Sequence, residues 1–358
     1  MSTIAVNAIT DANGGSTTSI NGTTPNAYNT VGKNLIINGA MQIAQRGTSS
    51  TSTGYGTVDR WQIFRSASVG SHAFTASQET DAPDGFSNSF KITTTTAAGT
   101  VGTNDYFNVG QEIEAQTLQQ LAYGTTSAKK VTLSFWVKSS QTGTYSIGVY
   151  ATDGNRVIGS TYAINTANTW EKKSVTIDGD TAGTINNDNG AGLRFYFNLA
   201  AGSTYNSTDN TSWATYSNGN FAYGGNDNVV NNLNATWQIT GVQLEVGESA
   251  TEFEHRPYGT ELQLCERYFE AYPLMSGTQN IPIILTYRVT NQYWAYLYYK
   301  TQKRAVPTLT LGAGTVWSNG TPSANIGVTN VMWLGTATIY MNESNATDIY
   351  SFALDAEL

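Results

Sequence analysis

The stretch NLIINGAMQIAQRG at residues 34–47 is where the chain first takes on the composition of a packed core. Its apolar run at 35–37 meets Asn38-Gly39 and continues to a single arginine, Arg46. The segment before it is polar, rich in Gly, Asn, Ser and Thr, and almost uncharged. We therefore place the first packed element here and treat everything before it as a separate arm.

This arm, residues 1–33, carries only Asp11 and Lys33 as charges, and its few aliphatic residues are isolated. A segment of this kind buries too little apolar surface to fold alone. It is either a disordered arm or one that a partner orders, and we expect the second. Its first residues hold no Lys or Arg ahead of the apolar ones, which is unlike a secretory signal.

Composition narrows the class of protein. Of the 358 residues, 39% are hydrophobic, whereas only 12% are charged, about half the usual share. The length suits two domains of ordinary size. The net charge of −8 comes without a basic cluster, so we set nucleic-acid binding aside. Apolar runs all fall short of a membrane span, so we expect no membrane insertion.

From residue 34 to residue 258 the pattern is that of short β-strands. The segments 131–140 and 144–152 alternate apolar and polar residues, and Asp153-Gly154 after them is a strong hairpin turn signal. Strands of this length, separated by Gly- and Asn-rich turns, predict a mainly β protein built on a jelly-roll-like β-sandwich over 34–258.

Two helices are predicted. One interrupts the strands at 112–123. The other is a connecting helix at 259–273, where Thr260 and Gln263 have the spacing of a capping box and Pro273 stops the element.

After the connecting helix the sequence returns to strands, which predicts a smaller C-terminal β-sandwich domain at 274–358. The single cysteine, Cys265, excludes an intrachain disulfide and a Cys-rich zinc site. Because free cysteines are usually buried, we expect it on the packed face of the connecting helix.

Several short motifs occur together and in order. The opening stretch is followed by VDRW at 58–61, and ITGVQLEVGESATEFEHRPYGTELQLCERYFEAY closes the sandwich segment at 239–272. KRAVPTLTL at 303–311 and the ending FALDAEL come later. In this combination the chain resembles a module common in bacteriophage tail fibres and other virion appendages. Between the two ends, SFWVKSS at 134–140 and SVTIDGD at 174–180 resemble carbohydrate-binding jelly rolls.

The resemblance implies a homotrimeric virion protein that binds a host cell-surface glycan without covalent chemistry. The N-terminal arm would attach it to other virion proteins, and several weak sites would give firm adhesion through avidity. The alternative is a purely structural capsid-decoration or tail-assembly protein whose aromatic residues fill subunit contacts. A cell-derived carbohydrate-binding module is a third interpretation, which the lack of a signal sequence disfavours.

The segment 202–228 is the main candidate for a glycan site. It lacks Lys and Arg and places aromatic residues among Asn, Ser and Gly. Sugar CH groups stack on aromatic faces, and amides bind the hydroxyls, so this mixture is typical of neutral sugar recognition. A long loop whose aromatic residues pack on the sandwich or on a neighbouring subunit would look the same. The candidate residues are Tyr205, Trp213, Tyr216, Phe221 and Tyr223.

A second candidate, Trp294, belongs to NQYWAYLYYK at 291–300. Strand alternation makes both faces of this segment apolar. One face would pack on the core, and the other would meet a subunit partner or a ligand.

Charged and polar residues of the two end motifs have a structural interpretation. Arg46 and Arg60 with Asp59, next to Trp61, suggest an ion pair at the edge of the sandwich. Gln243 and Glu245 share a strand face, and we expect them at the seam between sandwich and helix.

Catalysis has little support, and we expect no enzyme. The sequence contains neither GxSxG, HExxH nor a phosphate-binding GxxxxGK[ST] motif, and its acidic pairs do not stand out from surface acids. We expect no cofactor and assign no metal ligand. Calcium alone stays open, through turn residues Asp153, Asp178 and Asp180.

Overall fold

A computed structural model describes residues 32–67, 69–272, 284–289, 292–311, 327–331, 336–342 and 352–358. Side chains are described for 32–67, 69–271, 299–308 and 353–358. The predicted N-terminal arm therefore lies outside the described residues, apart from its last two positions. The side chain of Trp294 lies outside them as well.

Twelve strands build two six-stranded antiparallel sheets. They are β1 (Ser49–Ser50), β2 (Gln62–Arg65), β3 (Ala73–Glu79), β4 (Ser89–Thr96), β5 (Tyr106–Glu114), β6 (Val131–Ser139), β7 (Gly143–Ala151), β8 (Arg156–Ile164), β9 (Glu171–Ile177), β10 (Ala191–Ala201), β11 (Ala214–Thr215) and β12 (Thr236–Val246). The first sheet has the order β1-β3-β4-β12-β6-β9, and the second has the order β11-β8-β7-β10-β5-β2.

The two sheets face each other across one hydrophobic core. Phe135 on β6 and Trp237 on β12 reach across to Phe197 on β10, with ring centroids 4.9 and 5.5 Å apart. The chain passes from one sheet to the other several times: β4, β6, β9 and β12 belong to the first sheet, and β5, β7, β8 and β10 belong to the second. The predicted jelly-roll-like β-sandwich is confirmed, and so is the hairpin at Asp153-Gly154, which joins β7 to β8.

The opening stretch lies against the first sheet. Leu35 donates its backbone N–H to Leu244 of β12, at 2.8 Å. Asn38, which has a left-handed φ of 58°, accepts from the Ile43 N–H at 3.0 Å and donates to the carbonyl oxygens of Ile43 and Asp59. The hydrogen bonds of the buried Asn38 side chain thus take the place of strand pairing and stabilise a tight turn at the edge of the core.

The helix predicted at 112–123 is wrong in its first part. β5 continues to Glu114, and only Ala115–Leu121 is helical, as a 3-10 helix. Pairing with β10 decides this, since Glu112 lies opposite Arg194 in the sheet. Strand pairing and an ion pair override the local helical pattern.

The connecting helix is also shorter than predicted. Helix α1 (Asn228–Asn231) is a single turn before β12, and α2 (Tyr258–Glu266) is the predicted connecting helix, which ends seven residues before Pro273. Pro257 stands at its N-cap and makes no side-chain cap, so the proposed capping box does not form. Cys265 is fully buried, as expected.

The residues after α2 enter the C-terminal sheets at once, which places their first strand before the predicted boundary at 274. Its backbone pairs with the last strand of the chain, and this pairing ends the helix early. The strands are β13 (Phe269–Tyr272), β14 (Ile284–Val289), β15 (Gln292–Tyr298), β16 (Thr308–Leu311), β17 (Gly327–Val331), β18 (Thr336–Asn342) and β19 (Phe352–Asp355). They form a three-stranded sheet, β13-β19-β16, and a four-stranded sheet, β14-β15-β18-β17. In the described residues no helix is long and apolar enough to span a membrane.

Candidate functional site

The segment that follows β10 folds back onto the outer face of the second sheet. Ala222 donates its N–H to the Tyr205 carbonyl at 2.8 Å, and its own carbonyl accepts from Ser146 Oγ of β7 at 3.2 Å. Gly148 of β7 permits this approach. A Cβ there would lie 2.9 Å from the Phe221 carbonyl oxygen and 3.0 Å from the Tyr196 ring. The loop therefore packs on the outer face of β7.

An aromatic cleft of about 300 Å³ lies between this loop and the sheet. The outer face of β2, β5, β7 and β10 forms its base, and the folded-back segment forms one wall. Its lining residues are Phe64, Tyr106, Tyr150, Arg194, Tyr196, Tyr205, Tyr216, Asn218 and Phe221.

Tyr196 is the floor of the cleft. In the sheet it stands between two glycines, Gly110 on β5 and Gly148 on β7, so no side chain of its two cross-strand neighbours occupies the space beside its ring. Phe221 lies over one side with ring centroids 4.8 Å apart, and Phe64 approaches the other side edge-on at 5.8 Å. Tyr196 is buried, and burial raises the pKa of its hydroxyl, so the group stays protonated.

Tyr150, Tyr216 and Asn218 form the polar rim, and Asn155 hydrogen-bonds to both tyrosines from outside the lining. The rings of Tyr150 and Tyr216 lie 5.0 Å apart. Tyr150 donates its hydroxyl to Asn155 Oδ1 at 2.9 Å, and Tyr216 donates its hydroxyl to Asn218 Oδ1 at 3.3 Å. The Tyr216 backbone N–H also binds the Asn155 carbonyl at 2.9 Å. The rim thus offers fixed ring faces beside amide and hydroxyl groups.

One ion pair reaches the cleft. Arg194 donates from Nε and Nη2 to Oε1 of Glu112, its neighbour across β10 and β5. The guanidinium carbon lies 4.9 Å from the centroid of the Phe64 ring. The Arg194 side chain is 30% exposed and that of Glu112 only 2%, so the cation faces the cleft and the carboxylate lies beneath it.

The structure brings together three of the six predicted glycan residues, namely Tyr205, Tyr216 and Phe221. Trp213 lies elsewhere: its Nε1 donates to the Asp178 carbonyl at 2.6 Å, and its ring packs edge-on against a core tyrosine, Tyr123. Tyr223 is 38% exposed and does not line the cleft.

Sequence reasoning missed six of the lining residues, of which Asn218 lies within the candidate segment 202–228 and the other five lie on strands. Strand alternation was the available signal for two of them. In LRFYFNL at 193–199 the core residues Phe195 and Phe197 leave Arg194 and Tyr196 on the outer face. The other three come from strands far apart in sequence, and only the sheet order makes them neighbours. They are Phe64, Tyr106 and Tyr150.

The predicted Arg–Asp ion pair in the opening motif is wrong. Arg46 binds Asp355 at 3.0 Å and Glu357 at 3.1 Å, and Arg60 also pairs with Glu357. Asp59 instead accepts from Gln45, through the backbone N–H at 2.8 Å and Nε2 at 2.6 Å. The acids that neutralise these arginines lie about 300 positions away, as the separation of 297 between Arg60 and Glu357 shows.

The burial of this cluster shifts the pKa of Asp59. Burial raises the pKa of Asp59 to about 6, against the two hydrogen bonds from Gln45. Trp61 beside it is also buried and donates its indole N–H to the Asn38 carbonyl at 3.1 Å. The cluster joins the opening stretch to β19 and the residues that follow it, and Arg60 also donates from Nη2 to the Glu112 carbonyl at 2.6 Å.

Gln243 and Glu245 share a face and hydrogen-bond to each other at 2.9 Å. A bulge at Gly241, where φ is 61°, shifts the register of β12 ahead of them. Gln243 accepts from the Glu254 N–H at 2.8 Å, and Glu245 accepts from the Thr251 N–H at 2.8 Å. They therefore hold the segment that leads into α2 rather than the helix itself.

The three aspartates considered for calcium do not converge. Asp180 pairs with Arg156 at 2.6 Å, Asp178 pairs with Lys130 at 3.2 Å, and Asp153 accepts from the backbone of Asn186. Within the described ranges, no group of three His, Cys, Asp or Glu residues is arranged to hold a metal ion.

Comparison with models of known protein families gave no match, and comparison with curated protein sequences gave none either. Solved structures do match at low identity. The enzymatically active domain of tailspike protein 4 from bacteriophage CBA120 is 15% identical with a TM-score of 0.34; the match covers 60% of this chain and 22% of that one. A family 4 carbohydrate-binding module is 13% identical with a TM-score of 0.29, covering 59% and 98%. The family 11 carbohydrate-binding module of a cellulosomal cellulase from Clostridium thermocellum is 12% identical with a TM-score of 0.28, covering 57% and 98%.

Proposed function

We propose that this chain is a carbohydrate-binding protein that takes a host cell-surface glycan in the aromatic cleft of the second sheet. The cleft itself carries the proposal. It combines five tyrosines and two phenylalanines with an amide-bearing rim, and its volume of about 300 Å³ suits a short sugar segment. Ring faces stack on the CH groups of a pyranose, and the rim hydroxyls and amides hydrogen-bond its hydroxyl groups.

We also propose a place on a virus particle and an oligomeric state for the protein. We place the protein on a phage virion, as a tail fibre or other surface appendage, attached to other virion proteins through residues 1–33. We propose a homotrimer, in which three shallow clefts act together and turn weak sites into firm adhesion. The mechanism is binding alone, without catalysis.

Binding to host cells tests the function. The labelled full-length protein is titrated onto candidate host cells, with and without periodate oxidation of their surface sugars. We expect saturable binding that periodate abolishes. Tyr216→Ala and Tyr150→Ala should each weaken it about tenfold or more, because each removes a stacking face at the rim.

Tyr223→Ala is the matched control, since this tyrosine belongs to the same loop but lies outside the cleft. It should bind like the wild type. Equal losses in all three variants, or no saturable binding by correctly assembled protein, would overturn the glycan proposal. The second result would favour the purely structural role in a capsid or tail.

A further inference from the structure

The ion pair between Arg194 and Glu112 affects whether the cleft favours neutral or acidic sugars. Of the nine lining residues, Arg194 alone carries a charge. Its partner Glu112 is buried outside the lining of the cleft and holds the guanidinium by accepting two hydrogen bonds on one carboxylate oxygen. The pair as a whole is neutral. The cleft therefore presents hydrogen-bond donors without a net positive field.

Resting on the proposed function, we propose that Glu112 makes the cleft selective for uncharged sugars over carboxylated ones. Glu112 is a positioning residue that acts through Arg194, since its own carboxylate lies beneath the guanidinium. An unpaired arginine in an aromatic cleft would attract uronic and other acidic sugars. With Glu112 in place, the carboxylate of an acidic sugar must compete with Glu112 for the Arg194 guanidinium. It is also repelled by the negative charge of Glu112 next to that guanidinium.

The packing around Arg194 strengthens this argument. The guanidinium carbon lies 4.9 Å from the centroid of the Phe64 ring, a cation–π contact that helps to hold the group in place. Nε and one N–H of Nη2 are directed at Glu112, so the side edge of the guanidinium is occupied and a ligand meets only the donors that remain on Nη1 and Nη2. The remaining N–H groups suffice for a sugar hydroxyl, which needs one donor. A ligand acid thus meets one edge of a cation that Glu112 already neutralises, whereas a neutral sugar needs no free charge and keeps its hydrogen bonds.

The test uses matched probes and the full-length protein. The probes are pairs of immobilised oligosaccharides that differ only at C6, glucosyl against glucuronosyl and galactosyl against galacturonosyl. We expect the wild type to bind the neutral member of any recognised pair at least about tenfold more tightly. Glu112→Gln should remove most of that preference. Its binding to the acidic member should weaken with added salt, while binding to the neutral member should not.

The double variant Glu112→Gln/Arg194→Gln lacks both charges, so its binding should lose the salt dependence again. A merely structural role for Glu112 would weaken both members of a pair equally and would overturn the inference. Equal affinity of the wild type for both members would also overturn it, while leaving glycan binding intact. Failure of the wild type to bind any oligosaccharide would remove the proposed function, and this inference with it. If Glu112→Gln does not fold, the neutral-to-acidic ratio of the wild type at low and high salt decides the question alone.

Discussion

Glu357→Gln should destabilise the sandwich by about 3 kcal/mol, because it leaves Arg60 as a buried, unpaired cation. The Arg60 side chain is 1% exposed and that of Glu357 is 6% exposed. Breaking such a pair by removing one partner costs about 3–5 kcal/mol. We take the low end, because glutamine keeps an accepting carbonyl and the Tyr268 ring stays 3.5 Å from the guanidinium.

Urea unfolding measures this loss, followed by the fluorescence of the core residues Trp61 and Trp237. Asp355→Asn is the matched control, since its side chain is 41% exposed and its pair with Arg46 should contribute about 1 kcal/mol or less. In an Arg60→Met background, Glu357→Gln should cost far less than in the wild type. The same cost in both backgrounds, or a loss no larger than that of the control, would refute the buried-pair reasoning.

The remaining predictions concern ionisation and one backbone position. Burial raises the pKa of Asp59 from 3.8 to about 6, so the folded state binds a proton more tightly than the unfolded state. As the pH falls through this window, the free energy of unfolding of the wild type should therefore rise by up to about 3 kcal/mol relative to that of Asp59→Asn. Urea unfolding of both proteins at each pH measures this difference. Burial lowers the pKa of His72 from 6.5 to about 4, so the sign reverses, and the wild type should lose stability relative to His72→Gln as the pH falls through that range. A pH-independent difference in either comparison would contradict the assigned shift. Gly241→Ala should lower the stability measured by thermal unfolding by about 1–3 kcal/mol, since φ is 61° and a Cβ would lie 2.6 Å from the Phe86 ring. Gly259→Ala is the control: a Cβ there would meet no atom within 4 Å, so this substitution should not destabilise the protein.

The sheets could be predicted from the sequence because their signal is local. Alternation over 131–140 and 144–152 places inward residues in the core without knowledge of any partner strand. The two helices were overextended for the opposite reason. Glu114 belongs to a strand because of β10, and the chain leaves α2 because β13 pairs with β19, more than 80 residues later by sequence number. Helical periodicity alone does not contain this information.

The same division holds for the charged groups. The arginines of the opening motif were recognised as structural, yet the nearest acid in sequence, Asp59, was not the partner. A buried arginine pairs with whichever carboxylate the fold brings to it, and here that is Glu357. Ion-pair partners at large sequence separation follow from the topology, which local patterns do not determine.

The loop at 202–228 left two interpretations open, packing on the sandwich or binding a ligand, and both roles occur within it. Phe221 covers Tyr196 and passes over Gly148, so it holds the loop on the sheet while its ring closes one side of the cleft. Tyr216 lies at the rim, fixed by Asn155 through its backbone and by Asn218 through its hydroxyl. The packing residues therefore build the wall that orients the rim residues. The aromatic loop becomes a site here because Gly148 lets Phe221 pack closely on β7, which places Tyr216 beside Tyr150 of the sheet.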